Sequence, residues 1–288
     1  MSGDHLPPTL ALAPVLPAAT IAAPSVVPRP QRRSAHGNRS ESGSCITALF
    51  ILVMLIIVGK DTQANELHVL TTDEMQKAVA PLTQQFAPDT QRQVSYSTLQ
   101  ATPIEQQLDS IKEADIVLGL TPAQLEALAQ SGIIAGNSIL PLTRGQLAYW
   151  QPSSHRPGKR DLYKAASLSM PLPDKDPYGD AAKQVLTLFN LWPFPRRVFQ
   201  SFAADGAFTL VASGSTSGGL VSLAALKTRR TDPRTFWVVP ETLYSPIILA
   251  GAQTVGTSQP ALASAFLSWL NSDSIQQQLK NVGYLPVR

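Results

Sequence analysis

From Leu67 onward the chain alternates short apolar runs with longer amphipathic stretches, and no period repeats. Leu67-His-Val-Leu70 predicts a strand, and the stretch from about Asp73 to Phe86 predicts a helix. Arg92-Gln-Val-Ser-Tyr96 has the two-residue alternation of a half-buried strand. Pro103 to Glu113 carries Ile104, Leu108 and Ile111 at spacings of four and three, the signature of a helix with one apolar face. Ala114-Asp-Ile-Val-Leu118 reads as a buried strand. Thr121-Pro-Ala-Gln-Leu-Glu opens another helix, with Thr121 at its cap and Pro122 in its first turn. Farther along, Leu147–Arg160 carries a polar, basic surface loop, Pro152 to Arg160. Ala181 to Leu191 predicts a helix, Thr235-Phe-Trp-Val-Val239 a strand, and Pro260 to Val282 two helices split near Asn271-Ser-Asp273. Alternating strands and helices imply the α/β class, with parallel sheets and crossover helices. Binding sites in such sheets lie at the carboxyl ends of strands, near helix N-termini.

The first 64 residues follow a different pattern. Residues 1–44 are rich in Pro, Ala and Ser, a composition that cannot bury enough apolar surface to fold. Next comes an apolar run from Ile46 to Val58, about 13 residues, shorter than the roughly 20 that span a bilayer. It matches the roughly 7–15 of a signal-peptide core. Arg29 through Arg39 precede it and Thr62-Gln-Ala64 follows, so residues 45–64 read as an export signal cleaved after Ala64 into the periplasm. Two alternatives stand beside this: a start site downstream of Met1, and an uncleaved 46–58 segment that anchors the chain to the inner membrane. Cys45 precedes the apolar run instead of following it, which argues against a lipoprotein.

The chain has 288 residues, 44% of them hydrophobic and 15% charged, enough for one large domain or two lobes with real cores. Of its 23 basic and 20 acidic residues, 18 and 17 follow position 64, so the folded part is close to neutral. The basic excess sits in the leader, which removes a nucleic-acid reading. Cys45 is the single cysteine, so the body has no disulfide and no thiolate metal site.

Several segments, in order, resemble the molybdate-binding proteins of ABC importers. Ala265-Phe-Leu-Ser-Trp-Leu-Asn-Ser-Asp-Ser-Ile-Gln276 and Val282-Gly-Tyr-Leu-Pro-Val287 look like that family's terminal helix and Gly-aromatic-x-Pro tail. Pro173-Asp-Lys-Asp-Pro-Tyr-Gly179 looks like its P-x-x-x-P-x-G loop, with the following helix closing on Leu191-Trp192. Ala114-Asp-Ile-Val-Leu-Gly119 and Ser131-Gly-Ile-Ile134 correspond in position to a third conserved region. The resemblance covers roughly Leu67 to Val287. It implies a two-lobed periplasmic-binding-protein fold of type II with two hinge crossovers, near Leu142–Leu147 and Glu241–Ile247. One lobe would combine 65–143 with 245–288, and the other would be 144–244. It further implies a monomer without a cofactor that traps a small solute or oxyanion by lobe closure and hands it to an inner-membrane ABC permease.

Carrying the family's ligand positions across exposes a departure. The family holds its oxyanion with hydroxyls and backbone N–H groups at helix starts. Its first ligand serine falls on Glu74 within Thr72-Asp73-Glu74, and its Gly-Ser-Ser on Gln100-Ala101-Thr102, which keeps one hydroxyl. A residue donating a backbone N–H becomes Asp176, and the family's tyrosine falls on Ser222. Two carboxylates should repel a dianion, so the pocket is expected to suit a cation, an amine-bearing solute or a neutral polar molecule, or to have lost ligand binding altogether. Glu74 reads equally as a first-turn acid on an exposed helix start, Asp176 as a turn residue facing water, and Ser222 as a helix cap. Thr72 and the aromatics Tyr178 and Tyr244 complete the candidate ligand contacts.

Other constellations carry less. Gly214-Ser-Thr-Ser-Gly-Gly219 lacks the Gly-Lys-Ser/Thr ending of a P-loop and reads as a connection. His68 and His155, the two histidines of the body, have no partners at metal-ligand spacing. Neither a G-x-S-x-G elbow nor a Ser-x-x-Lys motif occurs, so the chain is not expected to be an enzyme. A tethered sensor or interaction protein reusing the fold is the alternative to transport.

Overall fold

A computed structural model describes residues 66–86, 93–100 and 102–287. The expectations for the leader, its cleavage site and Cys45 fall outside them. The first strand, β1 (Glu66–Thr71), leads into helix α1 (Asp73–Val79). Thr72 caps that helix, its hydroxyl accepting the Met75 N–H at 3.3 Å. The expected helix to Phe86 tightens into a 3₁₀ turn over Ala80–Gln85. Pro81 has no N–H to continue the α-helical ladder and its ring crowds the preceding turn.

β2 (Gln93–Thr98) follows, then a one-turn 3₁₀ helix at Ile104–Gln106 and α2 (Leu108–Glu113). The single helix expected over Pro103–Glu113 is broken at Gln107. The Gln107 side chain turns back to the preceding loop, donating to the carbonyls of Gln100 and Thr102 at 3.0 Å each and accepting the Gln100 N–H at 2.7 Å. β3 (Ile116–Leu120) is buried along its whole length. α3 (Pro122–Gln130) begins with the expected Thr121 cap, closed reciprocally by Gln124.

β4 (Leu140–Gly145) ends the first run of strands, and one residue later β5 (Leu147–Trp150) starts a second sheet. Leu147–Trp150 is buried strand, and the basic loop expected over Pro152–Arg160 ends two residues early, where α4 (Lys159–Lys164) begins. β6 (Ser167–Pro171) precedes α5 (Pro177–Leu188), which starts before Ala181 because Asp176 caps it and Pro177 fits its first position. Asn190, at φ 56°, turns the chain out of α5. β7 (Arg197–Ser201), α6 (Ala204–Ala212), β8 (Gly218–Ser222), α7 (Leu223–Thr228) and β9 (Phe236–Val238) complete this part. β10 (Ile247–Gln253) returns to the first sheet, and α8 (Pro260–Leu270) and α9 (Asp273–Asn281) close the chain at the expected break.

The first sheet has strand order β2-β1-β3-β10-β4, the second β7-β6-β8-β5-β9. β1 runs parallel to β2 and β3, while β10 is antiparallel to β3 and β4. β6 is parallel to β7 and β8, and β5 antiparallel to β8 and β9. Each sheet buries both faces, so alternate residues of one strand enter different cores. In β3, Ile116 and Leu118 join one apolar cluster while Val117 and Leu120 join another. In β5, Leu147 and Tyr149 face one side, Ala148 and Trp150 the other. The cluster holding Ile116 also holds Leu142, Leu147, Tyr178 and Ile247, so a single apolar core runs from one sheet to the other past the crossovers. The C-terminal tail fastens β4 there: Arg144 and Leu285 exchange backbone hydrogen bonds at 2.7 and 2.9 Å. Among the described residues no helix is long and apolar enough to cross a membrane.

Candidate ligand-binding site

Helix starts from both sheets converge on a cleft of about 680 Å³. The first lobe contributes the β1–α1 junction, the loop Thr98–Gln107 and the start of α3; the second contributes Asp174–Tyr178 and Phe202–Gly206. This is the carboxyl end of the parallel strands, where backbone N–H groups at helix starts lie free for ligands or capping side chains. The walls are largely apolar, with Leu99, Ile104, Leu120, Ala123 and Leu128 on one side and Phe202, 48% exposed, on the other. Gln100, Thr102, Gln124 and Lys175 add polar groups.

Five of the seven sequence candidates lie on this cleft: Thr72, Glu74, Thr102, Asp176 and Tyr178. Ser222 is fully buried behind it, its hydroxyl accepting the N–H groups of Ala224 and Ala225 at 3.1 and 3.4 Å, the capping role considered from sequence. Tyr244 is at the crossover, where its hydroxyl accepts the Leu147 N–H at 3.1 Å.

Glu74 is not an exposed first-turn acid, as one reading of the sequence allowed. It is 5% exposed, and its Oε1 accepts hydroxyl hydrogens from Tyr178 at 2.8 Å and Tyr284 at 2.7 Å. Its Oε2 is buried without a hydrogen-bond partner. Burial raises the Glu74 pKa above the ordinary carboxylate value, against the opposing pull of the Tyr284, Tyr178 and Ser222 hydroxyls. Burial, reinforced by the Glu74 charge, also drives both tyrosines well above their usual range.

Two glycines make this arrangement possible. A Cβ on Gly145 would overlap the Tyr178 hydroxyl, so the end of β4 has to be bare for a ring from the other lobe to enter. Gly283, at φ +101°, packs against the backbone at the start of α7 and turns Tyr284 inward.

Asp176 is half-buried and does not face water as a plain turn residue. Its Oδ1 accepts the Tyr178 N–H at 2.8 Å and its Oδ2 the Ala204 N–H at 3.0 Å, so one carboxylate serves the starts of α5 and α6. Burial, aided by the Glu74 charge, pushes its pKa up to about 7. Beside it, Arg229 binds Asp73 at 3.0 Å and also pairs with Asp205, its guanidinium lying 4.4 Å over the Phe208 ring. Among the described residues no group of three or more His, Cys, Asp or Glu is placed to hold a metal ion.

Sequence reasoning did not find Tyr284, Gln107, Phe202 or Arg229. Tyr284 carried no local signal, since its partner Glu74 lies 210 residues away. Arg229 had none, since its partners lie 156 and 24 residues away.

Comparison with known proteins agrees with this architecture. No curated protein sequence matches the chain. Among solved structures, the periplasmic molybdate-binding protein of Azotobacter vinelandii superposes with a TM-score of 0.67 at 24% identity, over 77% of this chain and 100% of that one. The substrate-binding domain of a putative molybdenum ABC transporter from Clostridium difficile gives 0.60 at 19% identity, covering 77% and 99%. A periplasmic thiamin-binding protein gives 0.58 at 15%, covering 77% and 83%. At such identities these likenesses establish the fold, two α/β lobes of the periplasmic-binding type. The model of the bacterial extracellular solute-binding protein family matches residues 67–285, three quarters of the chain, and the protein belongs to that family.

Proposed function

We propose that this protein is exported to the periplasm, captures a small organic solute between its lobes by hinge closure and delivers it to an ABC permease. The solute in this reading is cationic, amine-bearing or neutral and polar, and molybdate is not the ligand. The observation that carries the proposal is the pair of carboxylates, Glu74 and Asp176, among the residues that line the cleft. Where one of them is ionised, a dianion about 5 Å from it, at an effective dielectric near 20, would be opposed by about 6–7 kcal/mol, a repulsion that the raised pKa of each carboxyl reduces. That offsets most of the roughly 8 kcal/mol of a micromolar complex.

Size supports the same direction. A cleft of about 680 Å³ falls within the roughly 300–1,000 Å³ of small-molecule sites, and its apolar walls suit a carbon skeleton. Thr72, Thr102 and Tyr178 serve as polar contacts at its edge, while Ser222 and Tyr244 support the site from behind. The thiamin-binding neighbour shows that this fold accommodates an organic ligand.

A thermal-shift panel on the purified protein tests this, with molybdate, tungstate, sulfate, divalent cations, polyamines and small amino-bearing solutes. A ligand at 100 times its dissociation constant adds about 2.7 kcal/mol to folded-state stability. We expect amines or neutral organic solutes to raise the melting temperature and oxyanions to leave it unchanged. A clear shift with molybdate or tungstate would overturn the proposal, and silence across the panel would favour the tethered-sensor alternative.

A further inference from the structure

We infer that Glu74 is an anion built into the chain: its carboxylate fills a site suited to a small free carboxylate or oxyanion, excludes such ions by occupancy, and ties the two lobes together.

The donors around Glu74 are those of an anion site. Its Oε1 takes two tyrosine hydroxyls, one from the start of α5 and one from the C-terminal tail. The Ser222 hydroxyl, whose oxygen already accepts two N–H groups, pulls the Glu74 pKa down as the tyrosines do, while burial outweighs all three and holds it above the ordinary carboxylate value. Among the described residues no Lys, Arg or His forms an ion pair with Glu74, although a carboxylate 5% exposed is normally paired with a cation. Neutral dipoles from separate elements, aimed at one negative group, form the arrangement by which proteins hold a bound anion without a counter-charge. Asp176 repeats the pattern a short way along, filling two helix starts whose N–H groups are natural anion donors.

The chain gives up side chains at two positions to build this. Gly145 leaves room for the Tyr178 hydroxyl, and Gly283 adopts the left-handed turn that aims Tyr284. The consequence is a cross-lobe bond. Glu74 belongs to the first lobe and Tyr178 to the second, so the hydrogen bond between them, like the neighbouring Asp73–Arg229 pair, joins the lobes. An ordinary anion would arrive and leave; this one is covalently attached. The free solute is then left to the larger cleft beside it.

This deepens the solute-capture reading, because it assigns the exclusion of anions to occupancy where simple repulsion would also serve. The full-length protein, Glu74→Ala and Glu74→Gln separate the two. Ala empties the site, whereas Gln fills it without charge. Formate and acetate are the probes, followed by thermal melting and isothermal titration.

Occupancy predicts that Glu74→Ala melts lower than the parent and gains about 3–6 °C from formate at ten times its dissociation constant. The parent and Glu74→Gln should not respond. If Glu74→Ala does not fold by itself, formate should restore its far-ultraviolet circular dichroism. An equal response of Glu74→Gln and Glu74→Ala would make repulsion the cause and overturn the inference. So would a Glu74→Ala variant that neither responds to formate or acetate nor is refolded by them. The native solute takes no part in this test, so a silent ligand panel and an unresponsive Glu74→Ala are separate failures.

Discussion

Asp176 shows how much one residue's surroundings can change its chemistry. Its carboxyl caps two helices at once, yet burial and the nearby Glu74 keep its pKa at about 7 against an ordinary 3.8. The folded protein therefore binds more protons than the unfolded chain between those values. Stability from this group is complete below about pH 4 and is lost as the pH rises toward 7. Glu74, shifted in the same direction, adds to the slope. We expect denaturant midpoints of the parent to decline across this window, and Asp176→Asn to flatten the decline. A midpoint that rises from pH 4 to 7 in the parent, with Asp176→Asn following it, would contradict the assignment.

At the scale of elements, the cleft depends on departures from regular structure. A continuous helix from Pro103 to Glu113 would carry Gln107 outward, whereas the break lets its amide hold Gln100 and Thr102 on the cleft wall. Three hydrogen bonds by a 9% exposed side chain should be worth about 1–3 kcal/mol together. Gln107→Ala is expected to lower unfolding free energy by that amount in urea and to weaken solute binding by loosening the loop. Gln107→Glu would keep one acceptor but set carboxylate oxygen against both carbonyls, and should cost at least as much as Gln107→Ala. Proline placement shaped the neighbouring elements similarly: Pro81 ends the α-helical part of the first helix, while Pro177 begins α5.

For the molecule as a whole, several links among the described residues join the lobes in addition to the shared apolar core, among them Glu74–Tyr178, Asp73–Arg229 and Lys227 to the Asn281 carbonyl. Arg229 is 19% exposed in its side chain and holds an acid from each lobe, Asp73 and Asp205. Replacing it with Met keeps the stem over Phe208 but removes the ion pairs. We expect about 1 kcal/mol less preference for closure, a roughly fivefold shift toward open lobes. Small-angle scattering would show it as a larger radius of gyration for Arg229→Met, and an unchanged profile would mean that the core alone sets the closure.

The sequence alone determined the α/β class, the positions of most strands and helices in the first lobe, and the paired helices at the C-terminus. These follow from local periodicity and caps, such as the alternation of Gln93–Tyr96 or the Thr121–Gln124 box, which neighbours in the chain specify. Motif order added the two-lobed fold, and position matching brought Glu74 and Asp176 under notice. Their state was decided only by tertiary structure. Whether Glu74 faced water, a solute or protein depended on Tyr178, 104 residues away, and Tyr284, 210 away. Burial, desolvation and cross-lobe hydrogen bonds are properties of the assembled core, and periodicity along the chain does not encode which distant hydroxyl meets which carboxylate.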